Sequence, residues 1–358
     1  MTQASQATST KQDSRPDLAR GPAGSPDFGP GVDVAAYSCA GARGGGENQD
    51  NFVLIGGDGR AVFMLGQRRH EALITDWPAG QVRLAVLDGM GGHGHGRQAA
   101  EAAAAGLLRI PACGSQEELN TRLDGLHATL QTFFDELDPG KTSMRPGTTL
   151  TLLELRPGLP PLLYHVGDSR LYEIADGSAQ ALTVDHVPAT GFAMRDLLGE
   201  AEWRQQVHGE HRSQIAQAFI LGNAFSDPNR LSDELCALDE HNLPAYLRHM
   251  PDRRALEVRS DAVYVLASDG FWACTNPAAW IAEWPALLNA QSMGAAIGGQ
   301  QPSAAALLQT LFERFIHSPP AGMHVDNLTA IVLRFHQDDS GENIDETALP
   351  TLPIGPQM

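Results

Sequence analysis

Cysteine is scarce in this chain. Its 358 residues include Cys39, Cys113, Cys236 and Cys274, far apart and without a Cys-x-x-Cys pair. That excludes a zinc ribbon and a disulfide framework, and leaves reduced thiols, the ordinary state in a cytoplasmic protein. Basic residues are also in deficit: 25 Lys+Arg stand against 43 Asp+Glu, a formal net charge of −18. Non-specific nucleic-acid binding needs a basic face and is excluded. An anionic substrate is not excluded, because bound cations reverse a local field. No run reaches the ~20 apolar residues that span a bilayer. The first thirty residues contain no apolar segment of the secretory kind. The expectation is a cytoplasmic protein with neither nucleic-acid nor membrane partners.

Apolar residues make up 42% of the chain, enough for a sizeable core. Residues 1–31 are rich in Ser, Thr, Gly, Pro and Gln and read as a disordered leader. Residues 338–358 are acidic and Pro-containing and read as a tail. With no linker between them, residues 32–337 form one domain. Short apolar runs separated by Gly and Asp predict strands over 32–37, 52–55, 61–65 and 82–87. Helical spacing predicts helices over 97–108 and 116–137. A meander follows over 148–155, 161–166, 171–174 and 181–184, its short connections suiting antiparallel pairing. Residues 187–258 are mixed. A buried strand at 262–267, helices at 277–288 and 304–315, and a strand at 328–335 complete the domain. Strands in clusters and helices in blocks indicate the α+β class.

The chemistry lies in Asp residues set at the ends of these runs: Asp50, Asp88, Asp168, Asp269 and Asp326. Taken singly, each is better read as a turn or cap residue. Together they suggest carboxylates gathered at one edge of a sheet core, the oxygen ligands that magnesium or manganese prefers. Gly89-Met90-Gly91-Gly92-His93-Gly94 carries the Gly-x-Gly-x-x-Gly spacing of a dinucleotide fingerprint. That reading needs a second parallel strand after the helix, whereas Ile110-Pro111-Ala112-Cys113-Gly114 breaks the chain there. This segment also lacks the Gly-Lys-Ser/Thr of a P-loop, and Gly140-Lys141-Thr142 further on has Asp135 where a P-loop carries its first Gly. The glycines instead let the backbone turn, so that the Asp88 carboxylate and the Gly89 carbonyl face one ion. His93-x-His95 lacks partners for a zinc site and reads as exposed loop, with His93 still available as a supporting group.

Several stretches, in order, resemble the metal-dependent protein phosphatases, the type 2C serine/threonine phosphatases in their bacterial form. They are Glu47-Asn48-Gln49-Asp50-Asn51-Phe52, Val86-Leu87-Asp88-Gly89-Met90-Gly91-Gly92-His93, Gly147-Thr148-Thr149, His165-Val166-Gly167-Asp168-Ser169-Arg170-Leu171-Tyr172, Leu182-Thr183-Val184-Asp185-His186, Leu266-Ala267-Ser268-Asp269-Gly270 and Asp326-Asn327-Leu328-Thr329. The resemblance implies a four-layer α-β-β-α sandwich, two packed, mainly antiparallel sheets flanked by helices. It implies two Mn2+ or Mg2+ ions, with Asp88 bridging them and Asp269 and Asp326 holding one. The Gly89 carbonyl reaches the other, with Asp50 binding directly or through water. Asp168, with Asp269, forms a looser third site. Asp88 and Asp269 would serve catalysis through a metal-activated water. The implied substrates are phosphoserine and phosphothreonine in proteins, opposing a serine/threonine kinase. The alternative is a catalytically inactive relative that binds phosphoproteins or regulates a partner. Two departures matter. Met90 stands where some members place a His acid, which leaves His93 or a metal-bound water as proton donor. Arg43, the candidate phosphate ligand, is displaced by Gly44-Gly45-Gly46, with Arg170 as the next candidate. Residues 187–258 correspond to the family's mobile flap.

Overall fold

The computed structural model describes residues 25–41, 46–91, 95–137, 145–212, 214–225, 227–288, 302–324 and 326–336. The 338–358 tail and residues 1–24 of the leader lie outside the described residues. The first part of the domain holds strands β1 (Val32–Cys39), β2 (Asn51–Ile55), β3 (Arg60–Leu65), β4 (Arg68–Leu73) and β5 (Val82–Leu87). Then come β6 (Gly89–Met90), helices α1 (His95–Leu107) and α2 (Gln116–Leu137), and β7 (Gly147–Thr148). The meander is β8 (Leu150–Arg156), β9 (Leu159–Val166), β10 (Arg170–Ala175) and β11 (Ser178–Ala181). Short helices α3 (Pro188–Ala193) and α4 (Glu200–Arg204) follow, the latter running into one π-helical turn, Gln205–Gly209. The chain closes with β12 (Gln217–Ala218), β13 (Gly222–Asn223), β14 (Arg253–Ala255), β15 (Val263–Ala267), α5 (Pro277–Ile281), α6 (Ala304–His317) and β16 (Leu328–Phe335).

Two large sheets result, ordered β1-β16-β15-β10-β11 and β14-β9-β8-β5-β2-β3-β4, with every strand pair among the described residues antiparallel. The absence of a parallel pair removes the dinucleotide-fold reading. Strand alternation sorts the side chains into layers. Val53, Ile55, Ala85, Leu87, Leu152 and Tyr164 face outward onto α1 and α2. Their neighbours Phe52, Leu54, Leu84, Val86 and Leu153 face inward onto Leu171, Leu266, Ile331 and Leu333 of the other sheet. The outer face of that sheet, including Val265, Ala267, Ala330 and Val332, packs on Trp280, Leu307, Leu311 and Phe312 of α5 and α6. The four-layer α-β-β-α arrangement is therefore present.

At the α1–α2 break sits a buried guanidinium. Arg83 pairs with Glu154 at 2.6 Å, both side chains fully buried. It also donates to the carbonyls of Leu107, Ile110 and Pro111. A charge removed from water needs every donor met, and here the loop carbonyls meet them.

Several boundaries differ from the sequence reading. The strand expected over 181–184 lies at Ser178–Ala181, because only those residues pair with β10. Beyond them, the Thr183 hydroxyl receives the Leu171 N–H instead. The helix expected over 277–288 breaks at 282–283, and 284–288 are helical again. β4 was not expected. Its Arg68-Arg69-His70-Glu71 segment is exposed throughout and carries no apolar alternation. The core also reaches into the leader: Pro26 is buried, Phe28 packs on the inter-sheet layer, and Gly57 donates to the Asp27 carbonyl. Residues 187–258 build a cluster of their own around Trp203, Leu238, Leu243 and Leu247.

Candidate metal centre

Antiparallel order explains why the Asp residues meet. Asn51 faces Leu87, so Asp50, entering β2, lies beside Asp88, leaving β5. In the other sheet Arg170 faces Ala267, which sets Asp168, before β10, beside Asp269, after β15. Ala267 in turn faces Ala330 and Cys39 faces Leu328, so Asp326 precedes β16 at the same end. Two strands of one sheet and three of the other thus deliver carboxylates to one edge.

Hydroxyls and amides lock that edge across the sheets. Ser268 Oγ donates to Asp50 Oδ2 at 2.7 Å and accepts the Thr329 N–H. Asn327 Oδ1 accepts the Gln49 N–H, and Thr149 Oγ1 accepts the Asp88 N–H. Thr149 and Ser169 share a hydrogen bond at 2.6 Å. Asn48 donates to Ser38 Oγ, which bonds Thr329 Oγ1. Most of these polar residues sit within the quoted motifs, but nothing local in the sequence assigns their roles.

Glycine at this edge serves close approach. A Cβ on Gly89 would lie 2.4 Å from the Gly96 carbonyl oxygen and 2.5 Å from that of Gln49. On Gly270 it would lie 2.0 Å from the Asn327 carbonyl oxygen. Gly89 is not among the residues with positive φ. Its lack of a side chain therefore lets these backbone segments stack, while the turn expected from the glycine run falls at Gly91, with φ +147°.

The electrostatics are unbalanced. Asp50 is buried and its pKa is pushed up to about 7, by burial first, and by Asp326, against hydrogen bonds from Ser268 and Thr329. Asp269 is likewise raised to about 7, by burial and then Asp326. Asp88 lies well above the carboxylate range, through burial and the charges of Asp50, Asp269, Asp168 and Asp326. Burial and then Asp269 also raise Asp168, while Arg170 opposes the rise. Burial lifts Asp326, against the Asn327 N–H and His324. Carboxylates that raise one another's pKa lack a counter-charge. Their all-oxygen donor set suits hard divalent cations.

The nearby cation is committed elsewhere. Arg170 is 2% exposed and grips Asp185 with both Nε and Nη2. It also donates to the Tyr172 hydroxyl and the Val207 carbonyl, and its guanidinium stacks 4.4 Å from the Trp272 ring. It tethers the 187–258 region to the sheet edge, with four of its five N–H donors engaged by Asp185, Tyr172 and Val207. Arg43 and His93 lie outside the described residues. His95 is exposed at the start of α1.

A second group of ligand-type residues was missed by sequence reasoning. His165, His186 and Asp252 are buried with one donor atom each within 4.8 Å of the others. His186 Nδ1 accepts from the Gly167 N–H and from Gln217, so its Nε2–H donates to Asp252 Oδ2 at 3.1 Å. Asp252 Oδ2 also takes the Leu238 N–H. His165 Nε2–H donates to the Val184 carbonyl, and its Nδ1 meets Thr151 Oγ1. Burial, then His186, holds the His165 pKa well below the usual range. Only Asp252 Oδ1 lacks a protein partner. One free oxygen does not make the four-ligand shell of a structural zinc.

No family model and no curated protein sequence matches the chain. Solved structures do. A Streptococcus agalactiae (S. agalactiae) serine/threonine phosphatase aligns with TM-score 0.56 and 18% identity, over 85% of this chain and 100% of that one. The Mycobacterium tuberculosis phosphatase PstP/Ppp aligns with TM-score 0.54 and 22% identity, over 86% and 100%. A PstP catalytic domain in complex with two manganese ions aligns with TM-score 0.52 and 21% identity, over 86% and 99%. The fold is that of the bacterial metal-dependent serine/threonine phosphatases.

Proposed function

We propose that this chain hydrolyses phosphoserine and phosphothreonine in proteins at a binuclear metal centre on the five-carboxylate edge. The observation that supports it is the convergence of Asp50, Asp88, Asp168, Asp269 and Asp326, with pKa values raised by burial and, in all but Asp326, by neighbouring carboxylates, and no free cation among the described residues that face them. Asp88, Asp269 and Asp326, with Asp50 and the Gly89 carbonyl, would hold two Mn2+ or Mg2+ ions, and Asp168 with Asp269 would hold a third. The PstP domain of the same fold carries two manganese ions. Two such ions, when bound, supply a water nucleophile at neutral pH and offset charge on the phosphoryl group.

The protein's own residues set the geometry. Ser268 and Thr329 fix the Asp50 carboxylate, and Thr149 fixes the backbone that carries Asp88. Arg170, through Val207, holds the 187–258 region beside Asp168 and gives the substrate a wall. Met90 offers no proton to the leaving alkoxide. Phosphate is left to the ions and to Arg43. The substrates are phosphorylated proteins, set against a serine/threonine kinase. A cytoplasmic setting fits the unpaired Cys39, Cys113, Cys236 and Cys274. Among the described residues, no helix is long and apolar enough to cross a membrane.

Phosphate release from a phosphothreonine peptide, with and without manganese, tests the reading. Turnover should require the ion and vanish on chelation. Undiminished turnover after exhaustive chelation would sink the metal mechanism. Manganese binding without turnover would instead favour the inactive, phosphoprotein-binding alternative.

A further inference from the structure

Two of the four edge strands of the large sheets, β4 and β11, are built differently. An unpaired edge invites another strand, and proteins usually guard it with charge. β4 follows that rule with Arg68, Arg69, His70 and Glu71, all exposed. β11 does not: it reads Ser178-Ala179-Gln180-Ala181. Its backbone direction follows from one bond, Leu182 N–H to the Leu171 carbonyl at 2.7 Å. Facing pairs in an antiparallel ladder alternate between bonded and non-bonded. Gln180 opposite Glu173 is therefore bonded. Ala179 and Ala181, opposite Ile174 and Tyr172, turn their N–H and C=O groups away from the sheet.

Ala179 and Ala181 line a groove of about 820 Å³. Its far wall is Trp203 and Arg204 of α4 with Ala278, Ile281 and Ala282 on and just beyond α5. The chain carries 43 acidic residues, yet none of the groove's lining residues is Asp or Glu. Arg204, ion-paired with Glu200 of its own helix, and His249 stand exposed at its rim. One end reaches Arg170 and Tyr172. Across the π-helical turn lies a smaller cavity lined by Asp168, His211 and Trp272.

We propose that the β11 edge is a docking strand, where an extended acidic segment of the protein substrate adds to the sheet through Ala179 and Ala181. Main-chain hydrogen bonds supply affinity in strand addition, and pockets for alternate side chains supply selectivity. The two small Ala side chains leave the groove open, and its carboxylate-free lining favours an acidic occupant. The link to dephosphorylation rests on the function proposed above; the docking itself does not.

The test is fluorescence anisotropy on the full chain, using a labelled unphosphorylated peptide that alternates Glu and Val. It should bind saturably, with the Lys–Val counterpart at least ~10-fold weaker, about 1.4 kcal/mol. Ala179→Pro deletes an outward N–H, and Ala282→Trp fills the groove from the exposed helical wall without touching the strand. Each should weaken the Glu–Val peptide by about 10-fold, while turnover of a small phosphomonoester stays at the wild-type rate. No saturable binding, equal binding of the Lys–Val peptide, or unchanged binding to the Ala282→Trp protein would overturn the proposal. Peptide binding in a chain that turns over no phosphomonoester would remove the phosphatase reading and leave the docking strand standing.

Discussion

Two buried groups of metal-ligand residues lie in this domain, and they behave in opposite ways. In the His165–His186–Asp252 group each ring nitrogen has a protein partner, and a histidine donates to the carboxylate. The five-carboxylate edge holds like charges that lift one another's pKa. Residue type and proximity are shared, so neither marks an ion site. The difference is charge left unbalanced after the hydrogen bonds are counted.

The largest effect should come from the edge. Asp88→Asn and Asp269→Asn should each abolish turnover. By removing a repelling charge, each should also raise the thermal midpoint of the metal-free protein. Near wild-type kcat in either variant would break the ligand assignment.

pH should separate the two groups next. Asp50 and Asp269 have folded pKa values of about 7 against 3.8 unfolded. The folded, metal-free protein thus holds more protons than the unfolded chain between those values. The contribution of these two groups to stability is full below about pH 4 and is lost as pH rises toward 7, by on the order of a few kcal/mol. Manganese should cancel the loss. A flat metal-free stability curve over that range, from denaturant titrations, would contradict the charge imbalance.

Asp252→Asn should leave manganese affinity and metal dependence unchanged. It should cost about 1–3 kcal/mol of stability by disturbing buried hydrogen bonds. A changed manganese affinity, measured by calorimetry, would make the histidine group an ion site after all. Asp168→Ala should lower activity only several-fold and shift its metal dependence, since Asp168 serves a peripheral ion. The smallest effect should be that of Arg43→Ala, a several-fold rise in KM for a small phosphomonoester with a lesser change in kcat, the pattern of lost uniform binding. An unchanged KM would leave phosphate to the ions alone, since Arg170 is spent on Asp185.

Much of this was legible locally. Short apolar runs bounded by Gly and Asp located β2, β5, β8, β9, β15 and β16, and an Asp followed or preceded five strand ends. Where local signal failed, the cause is visible. β4 is held by pairing alone, with no apolar face to betray it. β11 is a run of small and polar residues whose strand character comes from β10 beside it. In the 277–288 stretch, helical spacing continues through a break that the fold makes at 282–283.

By itself, the sequence determined most of the strands and the long helices, the carboxylates at their ends and the acidic character of the chain, because propensity, apolar runs and charge are properties of neighbours. The tertiary structure alone decided that the carboxylates share one edge, that Gly89 and Gly270 exist for backbone contact, and that Arg170 is spent on Asp185. Each depends on which distant strands lie side by side. The Ser268–Asp50 bond spans 218 residues, and a pKa is set by the charges and burial such pairings create, not by the residues adjacent in the chain.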